Sequence, residues 1–329
     1  MILITGAAGH VGNVLARRLS QRGEKLRLLI SPRSNEKVLE GIDAEVVRCD
    51  LLDRESVRKA VHGCEYVYHS AGVIDIAGTN AQAMRASNVE GTRAIVDACL
   101  AEGVKRLVFV STIHVLKEGP RGSTITEVLY EDSGEVVGEY GRTKLEATQI
   151  VLDAVEKGLD AVITYPTGVI GPYDFKGSEL GTVLRRYARK GKLQMYINGA
   201  YDFVDVRDVA DGLILACEKG EKGHGYILSG QKLTIKEILD TVERCTGVKN
   251  AKFCVPIALA YVGGVLSPVF SLVSGKKAVF TTYSIKTVRS NSQISCSKAC
   301  DCLGYTPRAV TESIRDALLW HESQCKKQA

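Results

Sequence analysis

Residues 1–5 form a short apolar run that meets a glycine-rich turn, and over 11–22 the apolar positions recur at helical spacing until Gly23 ends them. Residues 25–30 alternate about their leucines as a second strand, and 44–48 read as a third. A short helix is predicted over 56–61, followed by a strand over 66–69, a helix over about 88–102 and a strand over 106–110. A helix over about 140–156 and a strand over 161–165 complete the regular alternation. Repeated strand–helix units predict a doubly wound parallel sheet with helices on both faces. Past residue 165 the rhythm breaks into Gly- and Pro-containing loops, with helices predicted near 180–189, 206–218 and 235–246. The organisation expected is an α/β domain over 1–165, rejoined by segments near 200–220, and a smaller, mainly C-terminal α/β lobe over 166–329.

Composition narrows the class without naming a function. Of the 329 residues 45% are apolar and 25% charged, the balance of a globular protein. The net charge of +5 is spread along the chain, which argues against a nucleic-acid footprint while suiting an anionic ligand. The ten cysteines include no Cys-x-x-Cys pair, so reduced thiols in a cytoplasmic protein are expected. Cys296, Cys300 and Cys302 lack zinc-type spacing and a nearby histidine, so no metal site is expected. Because the first five residues already read as strand, no signal peptide is expected. The stretch 254–275 carries no charge, yet Pro256, Gly263, Gly264 and Pro268 interrupt it and Ser267, Ser271 and Ser274 dilute it. A buried helix or an apolar lid over a lipophilic substrate fits this better than a membrane span, with surface membrane contact as the alternative.

Chemistry first becomes visible in Thr5-Gly6-Ala7-Ala8-Gly9-His10-Val11-Gly12, three glycines spaced by three between a strand and a helix. Gly6 permits the tight turn, Gly9 lets the backbone approach a pyrophosphate, and Gly12 lets the helix pack close, a Rossmann-type dinucleotide site. Ala8, His10 and Val11 complete the cofactor-binding backbone, and the His10 side chain reads as a solvated turn residue. The second strand ends near Ser31 with no acid to hold the ribose hydroxyls of NAD. Ser31, Arg33 and Ser34 offer hydroxyls and a guanidinium that suit the 2′-phosphate of NADP, so NADP(H) is expected over NAD(H); the plain alternative is an Arg33 that points to solvent.

Tyr140 and Lys144 stand four apart on one predicted helix, so both reach one ligand. A phenol titrates near pH ~10 unaided, and a neighbouring cation favours its phenolate. Such pairs also occur on ordinary exposed helices. Here Ser111 and Thr112 lie at the C-terminal end of the strand 106–110, where open α/β sheets build their sites; strand-end capping is the bland alternative.

With these motifs the chain resembles the extended short-chain dehydrogenase/reductase family over nearly its whole length. The resemblance implies that Gly6, Gly9 and Gly12 form the cofactor loop, Asp50 and Leu51 contact adenine, Ala71 and Gly72 form the mid-sheet cofactor loop, and Asn88 is the family's helix asparagine. It places Thr112, Tyr140 and Lys144 on the catalytic triad, with Ser111 ranked second and Lys144 also binding the nicotinamide ribose. Tyr165, Pro166 and Thr167 fall in the segment that follows the nicotinamide, and 203–209 resembles a later family signature. Nucleotide-sugar members carry Asn where this chain has Thr167, and dehydratases carry an acidic pair where it has Ile113 and His114. The run 166–172 looks instead like dihydroflavonol reductases, cinnamoyl-CoA reductases and 3β-hydroxysteroid dehydrogenases. The expected activity is therefore hydride transfer between NADP(H) and a carbonyl or alcohol of an apolar small molecule, by a homodimer paired through the helices holding Asn88 and Tyr140. A nucleotide-sugar 4-epimerase and a non-catalytic dinucleotide sensor are the rivals, and His114 reads equally as pocket wall or structural histidine.

Overall fold

The computed structural model describes residues 1–74, 80–120, 122–190, 193–263, 282–290 and 293–328. The N-terminal half contributes β1 (Ile2–Thr5), α1 (His10–Gln21), β2 (Leu26–Ile30), β3 (Glu45–Arg48), α2 (Arg54–Val61) and β4 (Tyr66–His69). It continues with α3 (Ala81–Arg85), a π-helical turn (Ala86–Glu90), α4 (Gly91–Glu102), β5 (Arg106–Val110), α5 (Glu139–Glu156) and β6 (Ala161–Pro166). The remainder holds β7 (Gly168–Ile170), α6 (Glu179–Tyr187), β8 (Gln194–Tyr196), β9 (Ala200–Asp205), α7 (Val206–Lys219) and β10 (Gly225–Leu228). After these come β11 (Gln231–Thr234), α8 (Ile235–Thr246), β12 (Lys252–Cys254), α9 (Thr282–Arg289), α10 (Ser297–Leu303) and α11 (Val310–Gln328).

The main sheet runs β10-β6-β5-β4-β1-β2-β3 with every neighbouring pair parallel, a Rossmann-type sheet. Apart from the edge strand β3, its strands are largely apolar on both sides because both faces are covered. Alternate residues feed two separate cores. Leu3, Leu29, Val67, Leu107, Phe109 and Ile163 face α2, α4 and α5, while Ile4, Leu28, Tyr68, Val108 and Val162 face α1 and α7.

The seventh strand, β10, is not visible in the sequence pattern, and the segment expected to rejoin the sheet near 200–220 extends through α7 to Leu228. The rest forms a small sheet, β11-β9-β7, a two-stranded pair, β12-β8, and the helices α6, α8 and α11 that surround them. Asp205, at the end of β9, accepts from the backbone N–H of Arg207 and pairs with its guanidinium, so one buried carboxylate both caps α7 and fixes the turn from one sheet to the other. Tyr173, Phe175 and Trp320 pack ring on ring, with Arg17 over the Tyr173 face, tying α11 and the loop after β7 to α1. The helix expected to begin at Asn88 begins at Ala81 instead and passes through the π-helical turn before α4. Of the uncharged stretch, residues 257–263 are helical and lie by Ile197 and Ile285, while 264–275 fall outside the described residues, and with them the expected lid. Among the described residues no helix is long and apolar enough to cross a membrane.

Pairing of β10 with β6 depends on a missing side chain. A Cβ on Gly225 would sit 2.3 Å from Cε2 of Tyr165, whose ring is buried in the core and has nowhere to retreat. Gly225→Ala is therefore expected to lower the free energy of unfolding by about 1–3 kcal/mol, measured by urea denaturation at constant m-value.

Candidate active site

The glycine turn is shaped by its own packing. Gly6 adopts φ +70°, and a Cβ there would lie 2.7 Å from the backbone of Ala71. A Cβ on Gly12 would lie 2.5 Å from the Gly6 carbonyl oxygen and 2.8 Å from Ser70 Oγ. These two glycines let the turn close against the end of β4. At Gly9 the nearest atom to a Cβ is the Gly6 oxygen at 3.0 Å, so that position is least demanded by internal packing and suits close approach by a ligand. The first backbone bond of α1 runs from Asn13 N to Gly9 O, which leaves the N–H groups of His10, Val11 and Gly12 ahead of it, and the first turn carries no acid. Donor set, helix terminus and cradle all fit a pyrophosphate.

The His10 side chain departs from expectation. It is not solvated: its ring is half-buried, its Nε2 lies 2.8 Å from the Pro172 carbonyl oxygen, and burial lowers its pKa. It fastens α1 to the loop after β7, which leaves its backbone N–H, not its side chain, at the start of α1 for a ligand. Ala8 is buried and Val11 half-buried against the core.

At the expected adenosine end, Ser31 and Ser34 share a 2.8 Å hydroxyl bond across a tight turn, and Arg33 stands exposed. Arg48, which the sequence reading missed, donates to the carbonyls of Pro32 and Ser34 and pairs with Glu36, so a second cation braces that turn. Asp50 accepts from the Leu52 N–H, and Leu51 packs on Gly91.

Between these loops and α5 runs an ordered chain that sequence reading also missed. Thr92 Oγ1 donates to the Asn88 carbonyl (2.6 Å), so it must accept from His69 Nε2–H (3.0 Å). His69 Nδ1 then accepts from Thr5 Oγ1–H (2.6 Å), and Thr5 Oγ1 accepts from the Ala71 N–H (3.2 Å). Burial, then the nearby Lys144, push the His69 pKa down to about 3, which keeps the imidazole neutral in this tautomer. Asn88 extends the network: its amide bonds both polar backbone atoms of Val73, beside Ala71 and Gly72, and donates to Thr143 Oγ1, which donates in turn to the Tyr140 carbonyl.

The residues expected to do chemistry converge at the end of β5. Lys144 is 4% exposed, and its Nζ donates to the Val110 carbonyl at 2.7 Å. Burial alone pushes its pKa down to about 7. Tyr140 lies one helical turn earlier on α5, half-buried, with its ring edge-on to His114 at 6.5 Å. His114 stacks on Tyr201 at 6.1 Å, its Nε2 lies 3.2 Å from the Tyr201 hydroxyl, and burial lowers its pKa to about 4. Thr112 Oγ1 accepts from the His114 N–H (3.4 Å) at the start of a 3-10 turn. Ser111 is committed elsewhere: Thr148 Oγ1 donates to the Lys144 carbonyl, so Ser111 donates into Thr148 at 2.7 Å.

Two other expected contacts face inward. The Tyr165 ring is buried in the core against Gly225, and Thr167 Oγ1 donates to the buried Asp202 at 2.7 Å, so the side chains of Tyr165 and Thr167 serve packing, with Pro166 buried between them. Among the described residues no group of His, Cys, Asp or Glu side chains is arranged to hold a metal ion.

Comparison with known proteins places this geometry. The NAD dependent epimerase/dehydratase family matches residues 2–229. The chain is 32% identical to sterol demethylase protein B of Methylococcus capsulatus, with 97% of each chain covered. It is 29% identical to cinnamoyl-CoA reductase 1 of Oryza sativa subsp. japonica, over 73% of this chain and 74% of that one. It superposes on the UDP-glucose 4-epimerase of Thermotoga maritima with a TM-score of 0.79 and 19% identity, covering 98% and 99% of the two chains, a likeness of fold.

Burying Lys144 sets a pH signature. Its native pKa of about 7 lies below the ordinary lysine value, so between about pH 7 and 10.5 the unfolded chain binds the extra proton and stability rises with pH. The burial penalty is fully felt below that window. Lys144→Met is expected to raise unfolding free energy at pH 7 by on the order of 1 kcal/mol or more, with the gain shrinking toward pH 10. Denaturation of both proteins across that range checks it; a gain constant with pH contradicts the assignment.

Proposed function

The chain belongs to the NAD-dependent epimerase/dehydratase family, and we propose that within it this enzyme reduces a ketone or aldehyde on an apolar small molecule, or oxidises the corresponding alcohol. Its coarser activity, NAD(P)-dependent oxidoreductase or epimerase chemistry, follows from the family and its reductase relatives. One observation carries the finer reading: a nearly fully buried lysine, with no carboxylate acting on it, stands one helical turn from a tyrosine at the C-terminal edge of the sheet.

In the reduction Tyr140 gives its phenolic proton to the carbonyl oxygen. Lys144 stabilises the phenolate left behind and lowers the cost of that transfer. Thr112 orients the oxygen by a hydrogen bond, while Ser111, already bonded to Thr148, holds α5 against β5. The turn at Gly6, Gly9 and Gly12 and the first N–H groups of α1 would hold the pyrophosphate, Ala71 and Gly72 would line the mid-sheet loop, Asp50 and Leu51 would flank the adenine, and Lys144 would bind the nicotinamide ribose. When bound, the nicotinamide supplies or accepts the hydride. The missing acid after β2 and the exposed Arg33 favour NADP(H) over NAD(H). The relative named sterol demethylase protein B supports a bulky, apolar substrate.

Tyr140→Phe is expected to reduce kcat by about 10²-fold or more with an unchanged Kd for NADPH. Wild-type protein should consume NADPH stoichiometrically with at least one member of a panel of steroid, flavonoid-like and small carbonyl compounds. Near-wild-type turnover in the variant sinks the acid/base role, and interconversion of UDP-hexoses with inactivity on the panel sinks the redox reading.

Arg33→Ala tests the cofactor preference separately. Wild type should bind NADPH more tightly than NADH, and the variant should lose on the order of tenfold in NADPH affinity with little change for NADH. Equal wild-type affinities, read by fluorescence titration, contradict the preference.

A further inference from the structure

A protonated amine buried this deeply requires a partner for its charge. Carboxylates are the usual solution, and among the described residues no ion pair is formed by Lys144, whose pKa burial pushes down. The titratable groups around it are neutral His69 from β4 and Tyr140 on its own helix, and the nearby hydroxyls of Ser111 and Thr148 are occupied with each other and with the Lys144 carbonyl. One of its three ammonium protons goes to the Val110 carbonyl.

What remains is a ring. Nζ of Lys144 lies 4.2 Å from the centroid of Phe109, within the range where the negative face of an aromatic ring attracts a cation. Phe109 is fully buried on β5, where water does not compete for the ammonium. Its ring is also fixed from the neighbouring strand, since Phe109 pairs in register with His69 and the two rings stack at 5.6 Å with 28° between their planes. His69 is in turn locked by Thr5 and Thr92. The platform under Lys144 is thus held by the same chain that holds the cofactor loop.

We propose that Phe109 is a positioning residue whose π face favours the ammonium form of Lys144 against the pull of desolvation, with His69 holding that ring in position. The catalytic importance of the charge rests on the function proposed above; the contact itself does not.

The test grades the ring's electrostatics while leaving its shape nearly constant. Phe109 is replaced in the full-length protein by 4-fluoro-, 3,5-difluoro- and 3,4,5-trifluorophenylalanine, which progressively withdraw electron density from the face. Lys144 is titrated through its ¹³Cε resonance in protein labelled at lysine, assigned by its loss in Lys144→Met. The midpoint should fall stepwise with fluorination, by about one pH unit over the series, a tenfold loss in the preference for the charged form. Phe109→Leu should shift it at least as far, and the fluorinated series answers the question even if that variant does not fold. A midpoint that stays constant across the folded fluorinated proteins overturns the proposal. This readout needs no turnover, so a Tyr140→Phe variant that keeps its activity would sink the acid/base reading while leaving the Phe109 contact to stand or fall on the titration.

Discussion

An ammonium group that water would normally solvate lies at the C-terminal end of β5, against one carbonyl and one aromatic ring. Much of the local structure follows from having to hold it there. Helix α5 must lie close to the sheet along its first turns, and two hydroxyl relays keep it there: Ser111 through Thr148 to the Lys144 carbonyl, and Asn88 through Thr143 to the Tyr140 carbonyl. Each relay ends on the backbone of a residue expected to do chemistry. A shift of α5 would break both, so the position of Tyr140 relative to Thr112 is set by buried hydrogen bonds, which are costly to leave unmade.

A second network joins the loop after β4 to α5. His69 is neutral and has both ring nitrogens committed, one toward Thr5 and the Ala71 N–H, the other toward Thr92 and the turn that carries Asn88. That turn is π-helical, a local widening often found at functional sites, and it aims the Asn88 amide at Val73 on one side and α5 on the other. Loop, turn and helix therefore share one network, and protonating His69 would break its acceptor bond from Thr5. Below about pH 6.5 the unfolded chain takes up that proton more readily than the native one, so acid weakens the fold and this junction together.

The alternation of strands and helices through β6 was legible because the strands other than the edge strand β3 are mostly buried and the helices show an apolar stripe. The parts that escaped are those whose signal is not periodic. β10 is four residues long and is identified by its pairing with β6, which no local pattern announces. Gly6, Gly9, Gly12, Tyr140 and Lys144 stand out by residue type and spacing, so they could be named as candidates from the sequence, and the structure puts the glycines in one turn and the other two on one helix. His69 and Phe109 could not, since each looks like another inward-facing strand residue until β4 and β5 are laid side by side. His10 misled for the opposite reason: a polar residue in a glycine turn suggests solvent, yet the loop after β7 returns from far along the chain to cover it.

Fold likeness alone does not separate net reduction from epimerisation or dehydration, because one fold hosts several chemistries. The separation has to come from the groups beside Tyr140 and from what the segment after β6 presents to a ligand. The two positions after Thr112 carry no carboxylate: Ile113 is packed in the core, and His114 is stacked on Tyr201 with its pKa depressed to about 4. At the position of the sugar-nucleotide asparagine, Thr167 spends its hydroxyl on buried Asp202, which also accepts from the Gly230 N–H, so this side chain ties β7 to β9. The reduction proposed above asks for a proton, which Tyr140 would supply, and for a cation on the same helix face, which Lys144 would supply.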